Sequence, residues 1–556
     1  MKLNKVCLAA INSKYIHSSL SILSLGKMCE VYAESYGIEK PEIVITEKTV
    51  NDSFESVAYS ILSTNAKIYA FAVYIWNVDF VSKLCKYIKS VDENNIVILG
   101  GPEASFMKNH YTFNDNDYNY IVCGEGERCF FALLCEINGI SVPGEWNYTE
   151  DGKFRHCSYI ENLSEIPFVY NDANIADYRD RIIYYESSRG CPFSCAYCLS
   201  SVCGKVRTLP LDRVFSDLDF FISHNVKQVK FVDRTFNCDR KRAQKIWQYI
   251  IEQSKDCDTN FHFEIGADLL DDGDLALLSS AKPGQIQFEA GIQSTNEKAL
   301  LECCRKTDLE KLFHNVKKLT AIGNINIHVD LIAGLPYETY SDFKKSFNDA
   351  YSLNSHQLQL GFLKLLGGAP LNDLIDKHGY VFSPFAPYEI VRNKYISNDE
   401  IRKLKLIEDV TDRCCNSEKF NFTLNKAVGF FDSPFDMLEK AAEHFKSSGI
   451  SFKAISSREL FNNMSIFFKN FGYNFDAELL LDFYCSDKSE VIPGELIYLA
   501  TIRDRSSKLI KEYGLTGNKK MQVKFIGNTA YIIDYASQNP VDGRFKIVKV
   551  IENVRM

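Results

Sequence analysis

Six short runs of strand-forming residues recur between Ile182 and Leu365, separated by stretches of helical period, and this alternation limits the fold more than any other feature. The runs are Ile182–Glu186, Gln228–Val232, His262–Gly266, Ile286–Gly291, Ile327–Ile332 and Leu358–Leu365. Helical patterns such as Arg213–His224, Arg240–Ser254 and Thr295–Cys304 lie between them. Strands linked through helices pair in parallel, because a parallel connection needs a long crossover. Six such units are too many for a small open sheet and suit a partial (β/α)6 barrel, whose chemistry collects at the C-terminal strand ends.

A second series precedes it. Val6–Ile11, Ile43–Thr46, Ile68–Ile75, Ile96–Leu99 and Tyr120–Cys123 are apolar runs alternating with amphipathic stretches such as Ser18–Tyr36 and Phe80–Val91. Five strands with intervening helices predict an α/β, doubly wound (Rossmann-like) sheet over residues 1–145. Gly100-Gly101-Pro102 and Gly124-Glu125-Gly126 follow two of these strands, where such sheets bind ligands, although glycines there also serve plain tight turns. Residues 146–181 are polar, with a hairpin-like piece at Asp151-Gly152, and read as a linker or an edge extension of the next domain. The barrel is expected over 182–375. Residues 376–556 read as a mostly helical accessory domain with a small sheet at Met521–Ile526 and Thr529–Tyr535.

Composition excludes several functions. Lys and Arg number 64 against 72 Asp and Glu, a net charge of −8 over 556 residues, which disfavours a broad nucleic-acid surface. No apolar run approaches the ~20 residues of a membrane helix, and Val6–Ile11 is too short for a signal segment. The expectation is a cytoplasmic enzyme with a small-molecule substrate and no membrane partner. Its 18 Cys are expected to be reduced.

Three of those thiols stand apart. Cys191, Cys195 and Cys198 form C-x3-C-x2-C immediately after the first barrel strand. Three thiolates on one tight loop can hold three irons of a [4Fe–4S] cluster and leave the fourth open. An unusual zinc site or three reduced structural thiols are the alternatives, since zinc normally takes four protein ligands.

The triplet resembles the signature of the radical S-adenosylmethionine (SAM) superfamily. The resemblance implies SAM on the open iron, reductive cleavage to a 5′-deoxyadenosyl radical, and a reductant such as flavodoxin or ferredoxin. It places Tyr197 against the SAM adenine and counts Asp233, in Phe231-Val232-Asp233-Arg234-Thr235, and Glu264 with the SAM-binding strand ends. Gln293, at the fourth strand, and Asp330, in Asp330-Leu331-Ile332-Ala333-Gly334-Leu335-Pro336, look like the branch containing oxygen-independent coproporphyrinogen oxidase, where such residues hold the SAM ribose. Arg305, twelve residues after Gln293, then matches the guanidinium that binds the SAM carboxylate. Without the resemblance, Glu264 and Asp330 read equally as backbone partners and Arg305 as a solvated helix residue.

Gly100-Gly101-Pro102-Glu103 and Cys123-Gly124-Glu125-Gly126-Glu127 resemble the N-terminal domain of the cobalamin-binding radical SAM enzymes. The motif D-x-H-x-x-G is missing; the first strand runs into Asn12-Ser13-Lys14-Tyr15-Ile16-His17 instead, which leaves cobalamin open. Two functions follow. The first expectation is a radical lyase acting on a small metabolite, with the queuine lyase of queuosine salvage, which converts queuine to preQ1, as its named form. Asp233 and Asp268 are its candidate substrate contacts, among polar groups that include Arg234, Asn237 and Lys364. The alternative is a cobalamin-dependent radical SAM methyltransferase. A non-catalytic cluster protein is the third reading.

Overall fold

A computed structural model describes residues 4–107, 112–450, 455–489, 491–500, 509, 511–513 and 520–552. The chain forms two compact units: Met1–Leu269 with Leu301–Lys306 and Leu363–Val391, and Leu270–Leu300 with Thr307–Phe362 and Arg392–Met556. This division runs through the second strand series instead of around it. Among the described residues no helix is long and apolar enough to cross a membrane.

The first unit opens with the doubly wound sheet. Strands β1 (Val6–Asn12), β2 (Ile43–Thr49), β3 (Ile68–Ala72), β4 (Ile96–Gly100) and β5 (Tyr120–Val122) are joined by β6 (Thr149–Asp151) and β7 (Phe154–His156) in the order β2-β1-β3-β4-β5-β7-β6. Every residue of β1 is buried, as a central parallel strand covered on both faces requires. Helices α1 (Leu20–Ser35), α2 (Phe54–Leu62), α3 (Val78–Val91), α4 (Pro102–Ser105) and α5 (Gly126–Ile137) alternate with the strands. Helices α1 and α5 share one core, around Met28, Cys29, Phe130 and Phe131. Helices α2 and α3 cover the opposite face around Ile61, Val81, Leu84 and Leu99. Gly101 sits at φ +100° with the site of a Cβ 2.7 Å from the Val73 carbonyl oxygen, so only glycine closes this turn.

The segment expected as a linker is corrected here. Its hairpin, β6 and β7, extends the edge of the N-terminal sheet, with Ile121 opposite Phe154 and Val122 opposite Arg155. Phe154 packs on the sheet core, and the buried Arg155 forks onto Glu136 of α5 at 2.7 and 2.8 Å. A bidentate pair fixes direction as well as distance, and this one pins the hairpin to the first domain.

The same unit carries three parallel strands of the second series: β8 (Ile182–Tyr185), β11 (Gln228–Phe231) and β12 (Asn260–Ile265), with β11 between the other two. A two-residue ribbon, β9 (Ser188–Arg189) with β10 (Arg207–Thr208), follows β8, and helices α6 (Leu211–Ser223) and α7 (Arg240–Gln253) precede and follow β11. The second unit holds the other three: β13 (Ile286–Gln293), β14 (Asn326–Ala333) and β15 (Gln357–Phe362), parallel and with β14 in the middle. Burial alternates strictly along β13 and β14. One face is apolar core; the other presents Gln287, His328, Asp330, Gln357 and Gln359. The rest of the second unit is helical, including Asn398–Val410, Pro434–Ser447, Ser457–Asn470 and Asp476–Ser486, and ends in a three-stranded antiparallel sheet. A buried Arg544–Asp482 pair at 2.9 Å, with Thr423 also donating to Asp482, ties that sheet's last loop to the helices.

Candidate functional site

The cysteine triplet lies on the loop between β9 and β10. Gly190 stands at its start with φ +104°, and a Cβ there would lie 2.2 Å from the Lys205 carbonyl oxygen, so the loop's neck closes only around glycine. Cys191 and Cys195 are buried, Cys198 is half-buried, and none is in a disulfide. Burial pushes the Cys191 thiol up, and the neighbouring Cys198 and Cys195 add to that. The loop is held in place by backbone bonds: the Ala196 amide donates to the Cys303 carbonyl (2.9 Å), and the Leu371 amide to that of Ala196 (2.8 Å). Among the described residues no three His, Cys, Asp or Glu side chains stand at metal-binding spacing, so cluster binding would draw the three thiols together. The donor set itself, three thiols on one loop beside a cation, suits an iron–sulfur cluster.

That cation is Arg305. Its Nη1 lies 3.9 Å from Cys195 Sγ, and Tyr197 is half-buried beside the same thiol, its phenol pushed up by burial. Arg305 and Tyr197, separated by more than a hundred residues, therefore meet at the cysteine loop.

Asp233 does not face a ligand space. It is 1% exposed, and its carboxylate accepts from the Ser187 amide (2.8 Å), the Ser187 hydroxyl (2.6 Å) and the Ser188 hydroxyl (2.7 Å). Where the sequence suggested a cofactor or substrate contact, Asp233 here anchors the entry to the cysteine loop. Thr235, two residues on, has φ +50° and places Oγ1 4.0 Å from Cys191 Sγ. Asn237 joins the second and third strand ends by exchanging two 2.9 Å bonds with Gly266. Glu264 pairs with Arg234 at 3.2 Å, Asp268 lies half-buried in the turn Ala267–Leu269, and Lys364 approaches Glu389 at 4.0 Å.

In the second unit Gln293 and Asp330 come onto adjacent strands. Gly291 faces Asp330, then the register shifts and Gln293 faces Leu331. Gln293 has φ +69°, a strained conformation for a side-chain-bearing residue, and its Oε1 is buried without a hydrogen-bond partner among the described residues. Strain and an unsatisfied acceptor at one residue mark a place where a ligand donor is expected. Sequence reasoning missed Glu338, which holds the following turn. Its Oε1 accepts from Ser294 Oγ at 2.5 Å and from Ser346 Oγ at 3.3 Å, and the Ser294 hydroxyl in turn accepts from the Asn296 amide.

Burial holds the Glu338 carboxyl up at about 8, against an ordinary value of 4.5. A raised acid contributes stability that is complete below its unfolded value and is lost as pH rises through the folded one. The unfolding temperature of this unit is therefore expected to fall by a few degrees between pH 7 and 9. Glu338→Gln, which cannot ionise, flattens that fall. Parallel melting curves for the two proteins across this range would refute the assignment.

The first unit contains a cavity of about 560 Å³, lined at the β1 and β3 ends by Asn12, His17, Tyr74 and Trp76 and elsewhere by Tyr184 and Arg234, among others. Trp76 is 48% exposed and stacks on Tyr74 with centroids 4.4 Å apart and planes 6° apart, a flat aromatic surface. The sequence contained one signal for it: a rare Trp just past a strand end. His17 Nδ1 lies 2.7 Å from the Tyr184 hydroxyl, and burial, with Lys14, Lys230 and Arg181 nearby, lowers its pKa, so the ring is neutral. An open, partly apolar space at the strand ends, with a flat aromatic wall and a neutral imidazole, fits a planar macrocycle.

The comparisons agree with this geometry. Residues 6–134 match the model of the B12 binding domain, 185–350 that of the radical SAM superfamily, and 376–525 that of a protein family of unknown function, DUF4080. The chain thus joins a B12-binding domain to a radical SAM domain and is homologous to cobalamin-dependent radical SAM enzymes. The two domains imply a [4Fe–4S] cluster, SAM and cobalamin. Among curated relatives, the cobalamin-dependent radical SAM methyltransferase TokK of Streptomyces tokunonensis is 24% identical over 65% of this chain and 56% of its own. The 2-(S-pantetheinyl)-carbapenam-3-carboxylate methyltransferase of Streptantibioticus cattleyicolor is 23% identical over 61% and 52%. The chain thus spans about half the length of these relatives. Among solved structures, the cobalamin-dependent SAM radical enzyme OxsB with aqua-cobalamin bound shares the fold over 93% of this chain and 76% of its own, at a TM-score of 0.51 and 15% identity.

Proposed function

We propose that this protein is a cobalamin-dependent radical SAM methyltransferase acting on a small molecule. The observation that carries the proposal is the B12-binding match on residues 6–134 ahead of the radical SAM match on 185–350. The two curated relatives named above are methyltransferases, which favours this reading over the queuine lyase expected first. When bound, the cluster and SAM supply a carbon radical and cobalamin carries the methyl group. The chain's own residues then bind and orient. Cys191, Cys195 and Cys198 would hold the cluster, Tyr197 would lie against the SAM base, and Arg305 would fork onto the methionyl carboxylate. Trp76 and Tyr74 would offer a corrinoid a flat face. An external reductant such as flavodoxin or ferredoxin supplies electrons.

The experiment is anaerobic reconstitution with iron, sulfide and cobalamin, followed by SAM and a low-potential reductant. Retained cobalamin, with S-adenosylhomocysteine and deoxyadenosine as coproducts, supports the methyltransferase. Deoxyadenosine alone, from protein that retains no cobalamin, supports a lyase, and preQ1 formed from added queuine would restore its named form. Within the proposal, Arg305→Ala removes one charged hydrogen-bond donor from a dry site. That costs about 1.5–3 kcal/mol, so SAM binding weakens roughly tenfold to a hundredfold with iron content unchanged. Equal SAM affinity in titration calorimetry would remove Arg305 from the site.

A further inference from the structure

The second glycine motif of the N-terminal domain, Gly124-Glu125-Gly126-Glu127, carries two buried acids that meet the neck of the cysteine loop. Arg189 and Arg207 stand directly opposite each other across the β9–β10 ribbon, the two-residue neck through which the whole loop 190–206 leaves and returns. Like charges directly opposite on paired strands repel, so this neck is unstable unless the arginines are neutralised. Glu125 bridges them: its carboxylate lies 3.2 Å from Arg189 Nη1, accepts from Arg207 Nη1 at 3.1 Å, and also pairs with Arg207 Nη2. Glu127 takes the other side of Arg189 at 2.7 Å, as does Glu186 at 2.7 Å. Arg207 further donates to the Ile160 carbonyl at 2.6 Å. The arginine and glutamate side chains are between 7% and 23% exposed, so solvent screens the repulsion poorly. Burial works against the charge of Glu125, yet Arg207 and Arg189 hold its carboxyl below the usual range. Buried ion pairs are weak sources of stability. Two arginines at the base of a ligand loop, clamped by acids 62 to 82 residues away, call for another reason.

We infer that Glu125, with Glu127, is a clamp by which the N-terminal domain holds the cysteine loop closed, so that this domain governs how firmly the cluster is retained. The acids are positioning residues; they touch no reacting atom.

The test uses the full-length reconstituted holoprotein. Glu125→Gln leaves the arginines facing each other without their shared carboxylate, and iron release to a ferrous chelator is expected to accelerate about tenfold or more. Glu125→Gln combined with Arg207→Met removes the repulsion and returns most of that rate. Far-UV circular dichroism stays at wild-type values in both. Hydrogen exchange of the ribbon amides in iron-free protein follows the neck without the cluster, so failure of the cluster reading is distinguishable from failure of the clamp. Exchange there rises in Glu125→Gln and falls back in the double variant. Wild-type iron release and ribbon exchange in Glu125→Gln would overturn the inference, as would a double variant no slower than the single one. If Glu125→Gln does not fold, a folded double variant that keeps its iron supports the clamp, and one that also fails to fold overturns it.

Discussion

Replacing Cys191, Cys195 and Cys198 together by Ala yields a reconstituted protein with essentially no iron and no SAM cleavage, against about four irons for the wild type. The effect is large because no other described thiols form a set that could substitute. Cys29 and Cys85 lie fully buried in the N-terminal core, where desolvation pushes their thiols far up, and a protonated thiol is a poor ligand. Cys238 lies near Cys191, but one thiol does not hold a cluster. Cys303 is buried beside the loop, but it stands outside the one-loop spacing of the triplet. Each single Ala variant leaves two thiols of the triplet, too few for a stable site-differentiated cluster, so each is expected to lose most of its iron on gel filtration. Iron and sulfide analysis with visible absorbance reads the outcome. Full iron content in the triple variant would move the cluster elsewhere in the chain.

The strands were legible because β-branched and aromatic runs between helical patterns leave few other foldings. Ile286–Gly291 and Ile327–Ile332 lie within two residues of β13 and β14 at either end. Gln293 and Asp330 were singled out by the resemblance and not by strand pattern; they stand on adjacent strands, across a register shift that the sequence does not announce. The hairpin at 149–156 was not, because its strands are three residues long and largely polar. What docks it, the Arg155–Glu136 fork, is a tertiary pair. The bonds of Asp233 were hidden for a related reason. A carboxylate at a strand end reads as a ligand contact, and its serine partners lie 45 and 46 residues back along the chain. The Glu125 and Glu127 pairs with Arg207 and Arg189 span still longer separations. Local pattern reports periodicity and loop chemistry; it carries no information about which buried charge meets which.

Asp233→Ala is expected to loosen the entry to the cysteine loop while leaving β11 in place. The carboxylate takes the Ser187 amide and two serine hydroxyls, all buried. Losing a hydrogen bond to a charged acceptor costs about 1.5–3 kcal/mol, so the Ser187 amide should exchange roughly tenfold to a hundredfold faster in the variant. Burial raises the Asp233 carboxyl to about 6 even though Ser187 and Ser188 bond to its ionised form, so the charged state is the costly one. Its stabilising contribution is accordingly complete below its ordinary value of 3.8 and is lost as pH rises through about 6. In the wild type the protection of Ser187 should therefore decline between pH 5 and 7 beyond the intrinsic change in exchange rate. Asp233→Asn separates the two effects. It cannot ionise, so the pH-dependent part disappears. It keeps one acceptor oxygen but turns an amide N–H₂ toward a donor, so protection falls between that of the wild type and that of Asp233→Ala. Iron content follows the same order, because the serines that Asp233 holds lead directly into Arg189, Gly190 and Cys191. A Ser187 amide that exchanges at the wild-type rate in Asp233→Ala would show that the loop entry is held by something other than this carboxylate.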